Sequence, residues 1–206
     1  MKVSKLILCL LLSLGAVSAY AGVNLKNGNF YISYTDIIVP GGGKKLEMTR
    51  TYNSKSTSVG WFGFGWGNVY ETSLTTSPDG CVVVNEYGAG GKTRFCPKAQ
   101  VDPEEAAKKI VEAMRKKSKT NMPEASLKTL IERLKSNAEL RHAYAKNFGV
   151  KSSIAKGTKL FSNQRGIQSI EVTDQGYKRV SNSGKKEFFD KSGNLLKIKE
   201  KNGYYV

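Results

Sequence analysis

The sequence contains few of the residues from which metal centres and hydrolytic sites are built. Among its 206 residues there is one histidine, His142, and there are three cysteines. A structural zinc site needs four ligands, which His142 cannot supply alone. We expect His142 to face solvent from a helix, because no motif provides it with a nucleophile or a second imidazole. The sequence predicts no metal site, no cofactor and no enzymatic activity.

The carboxylates also follow no pattern that predicts catalysis. A glycosidase uses two acids that flank the scissile bond. Spacing selects no pair from the candidates Asp36, Glu47, Asp79 and Glu86. The turn Ser77-Pro78-Asp79-Gly80 already accounts for Asp79. A phosphate-binding loop is unsupported as well, since the glycine-rich run before Lys92 has Glu86 where that loop requires its first glycine.

The chain has one long apolar run, residues 6–17, close to the N-terminus. Two lysines precede the run, and Ala19-Tyr20-Ala21 follows it with the small-x-small pattern of a cleavage site. A transmembrane helix usually needs about 20 apolar residues, which is more than this run offers. The sequence therefore predicts that residues 1–21 are a signal peptide. The mature chain would begin at Gly22 and be exported, with no transmembrane span after cleavage.

Signal cleavage would leave two cysteines, Cys81 and Cys96. An even cysteine count in an exported chain favours a disulfide. The two residues flank a predicted hairpin with its turn at 88–91, which places them almost opposite each other. Two buried free thiols are the alternative. The disulfide would be structural, closing a loop of about 15 residues for roughly 3 kcal/mol in the chain-entropy model.

Acidic residues are scarce relative to basic ones. The chain has 33 lysines and arginines against 17 aspartates and glutamates, a formal net charge of +16. Such a balance favours an acidic partner, here an anionic glycan or an envelope surface. Nucleic acid is not expected as a partner, because the sequence shows no nucleic-acid-binding module. The lysines are spread along the chain, so solubility explains the charge at least as well.

Three segments of different periodicity follow the predicted signal peptide. Residues 22–100 are rich in strand formers and turn glycines and predict an antiparallel sheet. Residues 101–150 have helical spacing, with a start signal at Asp102-Pro103 and a glycine stop at Gly149. Each predicted helix has one apolar stripe, so the three should pack on each other or on the sheet. Residues 151–206 alternate short strands with turns. The predicted fold class is α+β, an antiparallel β-rich meander with a three-helix insertion.

Three motifs indicate what kind of protein this is. Two lie in the first β-rich segment: Arg50-Thr51-Tyr52-Asn53 and Gly60-Trp61-Phe62-Gly63-Phe64-Gly65-Trp66. The third places an aromatic–aspartate pair, Phe189-Asp190, before the turn glycine Gly193. Together they resemble the Rhs/YD-repeat family, with residues 28–95 as its opening segment and 162–206 as the approach to and first unit of the repeat. Phe189 replaces the family's usual tyrosine, and Asn194 stands where arginine is common.

The resemblance implies a structural role. Full-length Rhs/YD-repeat proteins are secreted or surface β-shells of many repeats, which commonly enclose a C-terminal toxin domain that is often released by self-cleavage. This chain has about one repeat and no recognisable toxin domain. Its last strand pair is half built, which leaves an edge for further shell polypeptide or a companion chain. The resemblance therefore implies an exported, non-enzymatic module that starts or plugs a β-shell.

The aromatic run leaves two interpretations open. Its four aromatic residues could form a carbohydrate-binding platform, whereas the three glycines among them favour close packing in a core. Arg50 is expected to pair with a buried carboxylate or to stack on one of the rings. A secreted carbohydrate- or envelope-binding protein is thus the main alternative function. A toxin-associated effector that acts through the helical segment is a weaker alternative.

Overall fold

The computed structural model describes residues 19–41, 45–86, 91–99, 102–118, 122–162, 164, 166–204 and 206. Residues 1–18 of the predicted signal peptide and most of the predicted hairpin turn at 88–91 lie outside this part of the chain. The described residues form fourteen strands and three α-helices, and all paired strands are antiparallel. The predicted α+β class, β-rich with antiparallel sheets and three helices, is confirmed.

The strands and helices follow each other in the order that the sequence segments suggest. The strands are β1 Ala19–Asn24, β2 Asn29–Val39, β3 Leu46–Asn53, β4 Val59–Gly60, β5 Gly63–Phe64, β6 Trp66–Asn68, β7 Ser73–Thr76, β8 Val82–Glu86, β9 Gly91–Phe95, β10 Lys159–Ser162, β11 Gln168–Thr173, β12 Gly176–Val180, β13 Lys186–Phe189 and β14 Leu195–Lys199. The helices are α1 Pro103–Lys117, α2 Glu124–Ser136 and α3 Ala138–Phe148.

The N-terminal sheet has the strand order β1–β2–β3–β6. All six residues of β1 pair with β2, a strand that the sequence analysis did not predict, because its first half carries the predicted cleavage site. Cleavage after Ala21 would leave Gly22, Val23 and Asn24 in this strand. Signal cleavage itself stays a prediction.

Two further sheets, β7–β8–β9 and β10–β11–β12–β13–β14, share one core. Backbone hydrogen bonds join them at both edges: Cys96 pairs with Phe161 in both directions at 3.1 and 2.9 Å, and Leu74 N donates to Gly193 O at 2.8 Å. The buried core residues are Leu74, Val82, Val84, Phe95, Leu160, Ile170, Val172 and Phe189. We call this pair of sheets the β-unit. The helices occupy the connection between β9 and β10, which are neighbours in space.

The three helices pack chiefly on each other. Asp102 caps α1, where its carboxylate accepts a hydrogen bond from Glu104 N at 2.9 Å. Gly149 ends α3 in the left-handed conformation, with φ 73°. The apolar stripes meet in a separate core, whose buried members are Ala107, Ile110, Val111, Met114, Leu127, Leu130, Leu134 and Ala145. Of the two packings that the sequence left open, helix on helix dominates.

Asp79 does more than form the turn to which the sequence analysis assigned it. It is fully buried, and its Oδ2 accepts hydrogen bonds from Arg141 Nε at 3.0 Å and Nη2 at 2.8 Å. Arg94 on β9 forms a second ion pair with the same oxygen. Asp79 therefore connects α3 to the β-unit through a buried charge pair, a contact over 62 residues of sequence.

His142 was expected to face solvent, and this expectation is wrong. Its side chain lies against β7, the residue is 8% exposed, and Nε2 is 3.2 Å from Thr75 Oγ1. The face of α3 that meets the β-unit carries Arg141 and His142. Because an apolar pattern cannot identify a polar buried face, the sequence assigned this side of the helix to solvent.

A second buried charge cluster lies inside the β-unit. Arg179 donates to Glu86 from both terminal nitrogens, at 2.7 and 3.1 Å, and to Glu187 Oε2 at 2.9 Å. Gln168 Oε1 accepts from Arg179 Nε at 3.0 Å. Arg179 thus supplies a positive charge to both buried carboxylates. This pairing is needed because an unpaired charge is costly in low-dielectric surroundings.

Candidate interaction surface on the N-terminal sheet

Arg50 is the first residue of the Arg50-Thr51-Tyr52-Asn53 motif. Its guanidinium carbon is 5.0 Å from the ring centre of Trp66, 5.4 Å from that of Tyr34 and 5.9 Å from that of Phe62. Its Nε is 3.0 Å from Asp36 Oδ2, an ion pair without hydrogen-bond geometry. Ring stacking and carboxylate pairing thus both occur at Arg50, although Asp36 is one-third exposed rather than buried.

Asp36 reaches Arg50 because β2 carries a bulge. The pairing register of β2 with β3 shifts between Thr35 and Ile37, so Asp36 is the extra residue. Tyr34, on the other side of the shift, lies directly opposite Arg50. A bulge bends the strand and redirects a side chain. The alternation of residues in the sequence does not reveal such a shift, which is why this partner was not identified.

Four aromatic rings extend from Arg50 over one side of the sheet. Tyr52 and Trp66 have ring centres 5.4 Å apart, Tyr34 and Trp66 6.2 Å, and Phe30 and Tyr52 6.4 Å, all with tilted planes. These separations are typical of favourable aromatic pairs. We call Arg50 with these four rings the ring cluster. Next to this cluster, the backbone N of Asn53 donates a hydrogen bond to Gly65 O at 2.8 Å.

The three glycines of the aromatic run serve two different purposes. A Cβ on Gly60 would lie 2.4 Å from Trp66 O, and one on Gly65 would lie 2.6 Å from Tyr52 Cε2. These two positions therefore allow close packing, as the sequence suggested. Gly63 has open space around it, and its φ of +98° is the reason for glycine there.

Asn68 and Glu71 hold the aromatic run in place, and the sequence analysis missed both. Glu71 Oε1 accepts from Trp61 N at 2.7 Å, and Oε2 accepts from Asn68 N at 3.0 Å. Asn68 Oδ1 in turn accepts from Tyr70 N at 2.8 Å. The spacing Asn-x-x-Glu is a capping-box signal, here at the start of a 3₁₀ turn. That signal could have identified both residues.

The aromatic run divides into an inner and an outer pair. Phe62 and Trp66 are partly buried and contact Arg50. Trp61 and Phe64 are 66% and 61% exposed, because the short β4–β5 hairpin projects them away from the sheet. Packing in a core thus describes the inner pair better than the outer pair.

Trp61 borders an apolar groove of about 480 Å³ between the N-terminal sheet and β14. The apolar residues of its walls are Ile37, Leu46, Met48, Trp61, Tyr70, Leu195, Leu196, Ile198 and Val206. Glu47 and Lys197 complete the lining. Several of these apolar side chains remain largely exposed, Leu196 at 63% among them. A contiguous exposed apolar patch of this kind is typical of an interaction surface.

The sheet edge at β14 lies beside this groove. Backbone hydrogen bonds join Ile198 and Val206 in both directions, at 2.8 and 2.9 Å. Glu200 N also donates to Tyr204 O at 2.7 Å. The polypeptide therefore turns back along β14, and Val206 contributes to the groove wall.

The aromatic–aspartate motif forms the turn that docks β14 on the rest of the β-unit. Phe189 is in the core, and the Asp190 carboxylate accepts from Asn194 N at 2.8 Å and Nδ2 at 2.9 Å. The side-chain hydrogen bond from Asn194 lowers the pKa of Asp190. Gly193 has φ +91°, and a Cβ there would lie 1.8 Å from Leu74 O. Glycine is thus required for both conformation and contact.

Cys81 and Cys96 form the disulfide that the sequence predicted, with Cα atoms 4.3 Å apart. They flank β8 and β9 opposite each other, since Val82 pairs with Phe95. Cys81 is fully buried. The bond closes the β8–β9 hairpin at the strand end where Cys96 also pairs with Phe161 of β10.

The described ranges contain no helix that is long and apolar enough to cross a membrane. They also contain no group of three or more His, Cys, Asp or Glu side chains that could hold a metal ion.

The fold and this surface define a β-rich module with a ring cluster and an open apolar groove, and comparisons with known proteins find relatives of its N-terminal part. Residues 21–92 match a family model described as a domain of unknown function, DUF6531. Over 64 residues, 31% of the chain, the sequence is 36% identical to the tRNA3(Ser)-specific nuclease WapA of Bacillus spizizenii. The corresponding identity to the tRNA nuclease WapA of Bacillus subtilis is 34%. The match amounts to 3% of the length of each relative.

Proposed function

We propose that the chain is an exported, non-enzymatic structural module that starts or plugs a β-shell of the Rhs/YD-repeat type. The observation that carries this proposal is the apolar groove beside the β14 edge. The DUF6531 match over residues 21–92 supports it, since this range includes the ring cluster and one wall of the groove. The predicted signal peptide and the disulfide support export.

The proposed occupant of the groove is further β-strand polypeptide of the shell. Such a segment would extend the sheet beyond Tyr204 and Val206, which already pair with Glu200 and Ile198, and would cover the apolar side chains of the groove. Covering them is favourable by about 25 cal/mol per Å² of apolar surface removed from water. The groove lining contains two charged residues, Glu47 and Lys197. The contact would therefore bury mainly apolar surface.

A non-enzymatic role agrees with the state of the buried acids. Asp79 is paired with Arg94 and Arg141, and Glu86 and Glu187 are paired with Arg179. Carboxylates whose oxygens accept hydrogen bonds from buried arginines in this way are poorly placed to contact a substrate as general bases. Their arrangement is that of buried ion pairs with a structural role.

Site-specific photocrosslinking in the producing cell tests the identity of the occupant. A photoreactive amino acid replaces Leu196 in the groove or, as a matched control, Ile167, which is 80% exposed and outside it. We expect position 196, and not 167, to crosslink to a polypeptide that contains YD-type repeats. No crosslink at 196, or a crosslink only to a second copy of this chain, would contradict the proposal.

A secreted carbohydrate- or envelope-binding protein is the second candidate, favoured by the exposure of Trp61 and Phe64. Exposed aromatic rings stack on sugar rings, and the positive net charge would add attraction to anionic glycans. Sedimentation with purified envelope material tests this function. A Trp61→Ala variant should lose retention, and retention of the wild type should decrease as salt is raised.

A further inference from the structure

A second pocket, polar and about 450 Å³ in volume, shares no lining residue with the apolar groove. Three lysines line it from three separate parts of the fold: Lys55 after β3, Lys92 on β9 and Lys146 on α3. The remaining hydrogen-bonding side chains of its wall belong to Ser56, Thr57, Ser58, Glu71, Ser73, Asn85, His142 and Asn147. We call this the basic pocket.

The lysines of the basic pocket have no carboxylate partners within the described part of the chain. None of the three forms an ion pair with any residue that the structure describes. Glu71 is the one acid in the wall, and its two oxygens accept hydrogen bonds from Trp61 N and Asn68 N. The wall therefore has more positive than negative charge and hydroxyl and amide groups that can donate hydrogen bonds.

His142 lies in the wall of the basic pocket beside these lysines. Its Nδ1 is buried and has no hydrogen-bond partner among the described residues, while Nε2 contacts Thr75. Burial, together with the positive charges of Arg94, Lys92 and Lys146, lowers the pKa of His142 to about 4 against the opposing effect of Asp79. Lys92 and Lys146 thus line the same pocket as an imidazole with an unpartnered, buried Nδ1 among the described residues.

We propose that the basic pocket binds the phosphate group of a small ligand. Lysine is a common phosphate ligand, acting as a point charge, and hydroxyl groups complete the hydrogen bonding of phosphate oxygens. A volume of about 450 Å³ is within the range of small-molecule sites, about 300 to 1,000 Å³. The pocket therefore has room for a phosphate ester as well as for free phosphate. This activity is independent of the proposed shell function.

The ring signal of His142, the one histidine of the chain, provides the test by NMR. Purified protein at pH 7 and constant ionic strength is titrated with inorganic phosphate, glucose 6-phosphate or glucose. We expect saturable shifts with both phosphates and none with glucose, and a higher pKa of His142 in the bound state. Tighter binding of glucose 6-phosphate would identify an ester as the ligand type, and equal binding would identify free phosphate.

Charge-matched variants separate a specific site from general attraction. Lys92→Gln and Lys146→Gln should each weaken phosphate binding roughly tenfold, which corresponds to the loss of one charge-assisted hydrogen bond. Lys128→Gln, at an exposed position of α2 outside the pocket, should leave binding unchanged. Absence of saturation, an equal response to chloride, or equal weakening by Lys128→Gln would overturn the proposal. Because the isolated chain is used, failure here leaves the shell proposal unaffected.

Discussion

At the scale of single residues, the contact between the helices and the β-unit depends on Asp79. Its carboxylate receives two hydrogen bonds from Arg141, and Arg141 Nη1 also donates to Leu134 O at 2.7 Å. Burial alone would raise the pKa of Asp79, but the hydrogen bond and charge of Arg141 and the charge of Arg94 hold it below its ordinary value. Asp79 is therefore charged in the folded protein at neutral pH.

Replacing Asp79 by asparagine should lower the free energy of unfolding by about 3 to 5 kcal/mol, because the buried Arg141 loses its counter-charge. Urea unfolding under oxidising conditions measures the change. Asp174→Asn is the matched control. Its carboxylate is 73% exposed and pairs with Lys156 on the surface, so the loss there should stay within about 0.5 kcal/mol. Equal losses at both positions would contradict the role given to Asp79.

His142 should make stability depend on pH between about 6.5 and 4. The unfolded chain binds a proton near pH 6.5, whereas the folded protein keeps His142 neutral until about pH 4. The unfolded state therefore binds more protons in this window, and the free energy of unfolding falls as pH falls.

A His142→Gln variant tests this dependence, since the chain has no other histidine. Urea unfolding at several pH values between 6.5 and 4.5 should show a decline for the wild type and a flatter profile for the variant. The carboxylates with lowered pKa, such as Asp79 and Glu104, contribute mainly below this window. An unchanged slope in the variant would refute the assignment to His142.

At the scale of elements, the features that the sequence predicted correctly are those determined by residues close together in the chain. The helix start at Asp102-Pro103, the stop at Gly149 and the hairpin between Cys81 and Cys96 are all local signals, and the structure contains each of them. The buried partners of Asp79 and the bulge at Asp36 were not predictable in this way. They depend on which strands and helices meet in space, which a single sequence does not encode as a periodic pattern.

The turn of the aromatic–aspartate motif should tolerate no side chain at Gly193. Gly193→Ala should lower the free energy of unfolding by about 3 kcal/mol or more, since φ is +91° and the Cβ would displace the Leu74 backbone. Gly203→Ala is the matched control, with φ +94° and no atom within 4 Å of the Cβ. It should cost about 1 kcal/mol through backbone strain alone. Similar losses would show that the contact with Leu74 contributes little.

The disulfide should stabilise the folded protein by lowering the conformational entropy of the unfolded chain. The free energy of unfolding of a double variant, Cys81→Ala with Cys96→Ala, should be about 3 kcal/mol lower than that of the oxidised wild type. Reduced wild type should approach the value of the variant when both are measured in urea. Unfolding of the wild type that is insensitive to reductant would contradict this contribution.

At the scale of the whole molecule, two surfaces of different chemistry use different parts of the fold. The apolar groove lies between the N-terminal sheet and β14, and the basic pocket lies where β9 and α3 meet the segment after β3. Their linings share no residue. Of these two surfaces, Leu196 lines only the groove, and Lys92 and Lys146 line only the basic pocket, so substitutions at these positions test the two proposed activities separately.

The central claim is that the apolar groove joins this chain to a larger β-assembly. The native mass of the protein extracted from its producing cell tests the claim most directly, with Leu196→Asp in the groove and Ile167→Asp outside it. The wild type and Ile167→Asp should migrate in an assembly far larger than the 22.6 kDa chain, and Leu196→Asp should migrate as a folded monomer. A monomeric wild type, or an assembly that survives Leu196→Asp, would contradict the claim.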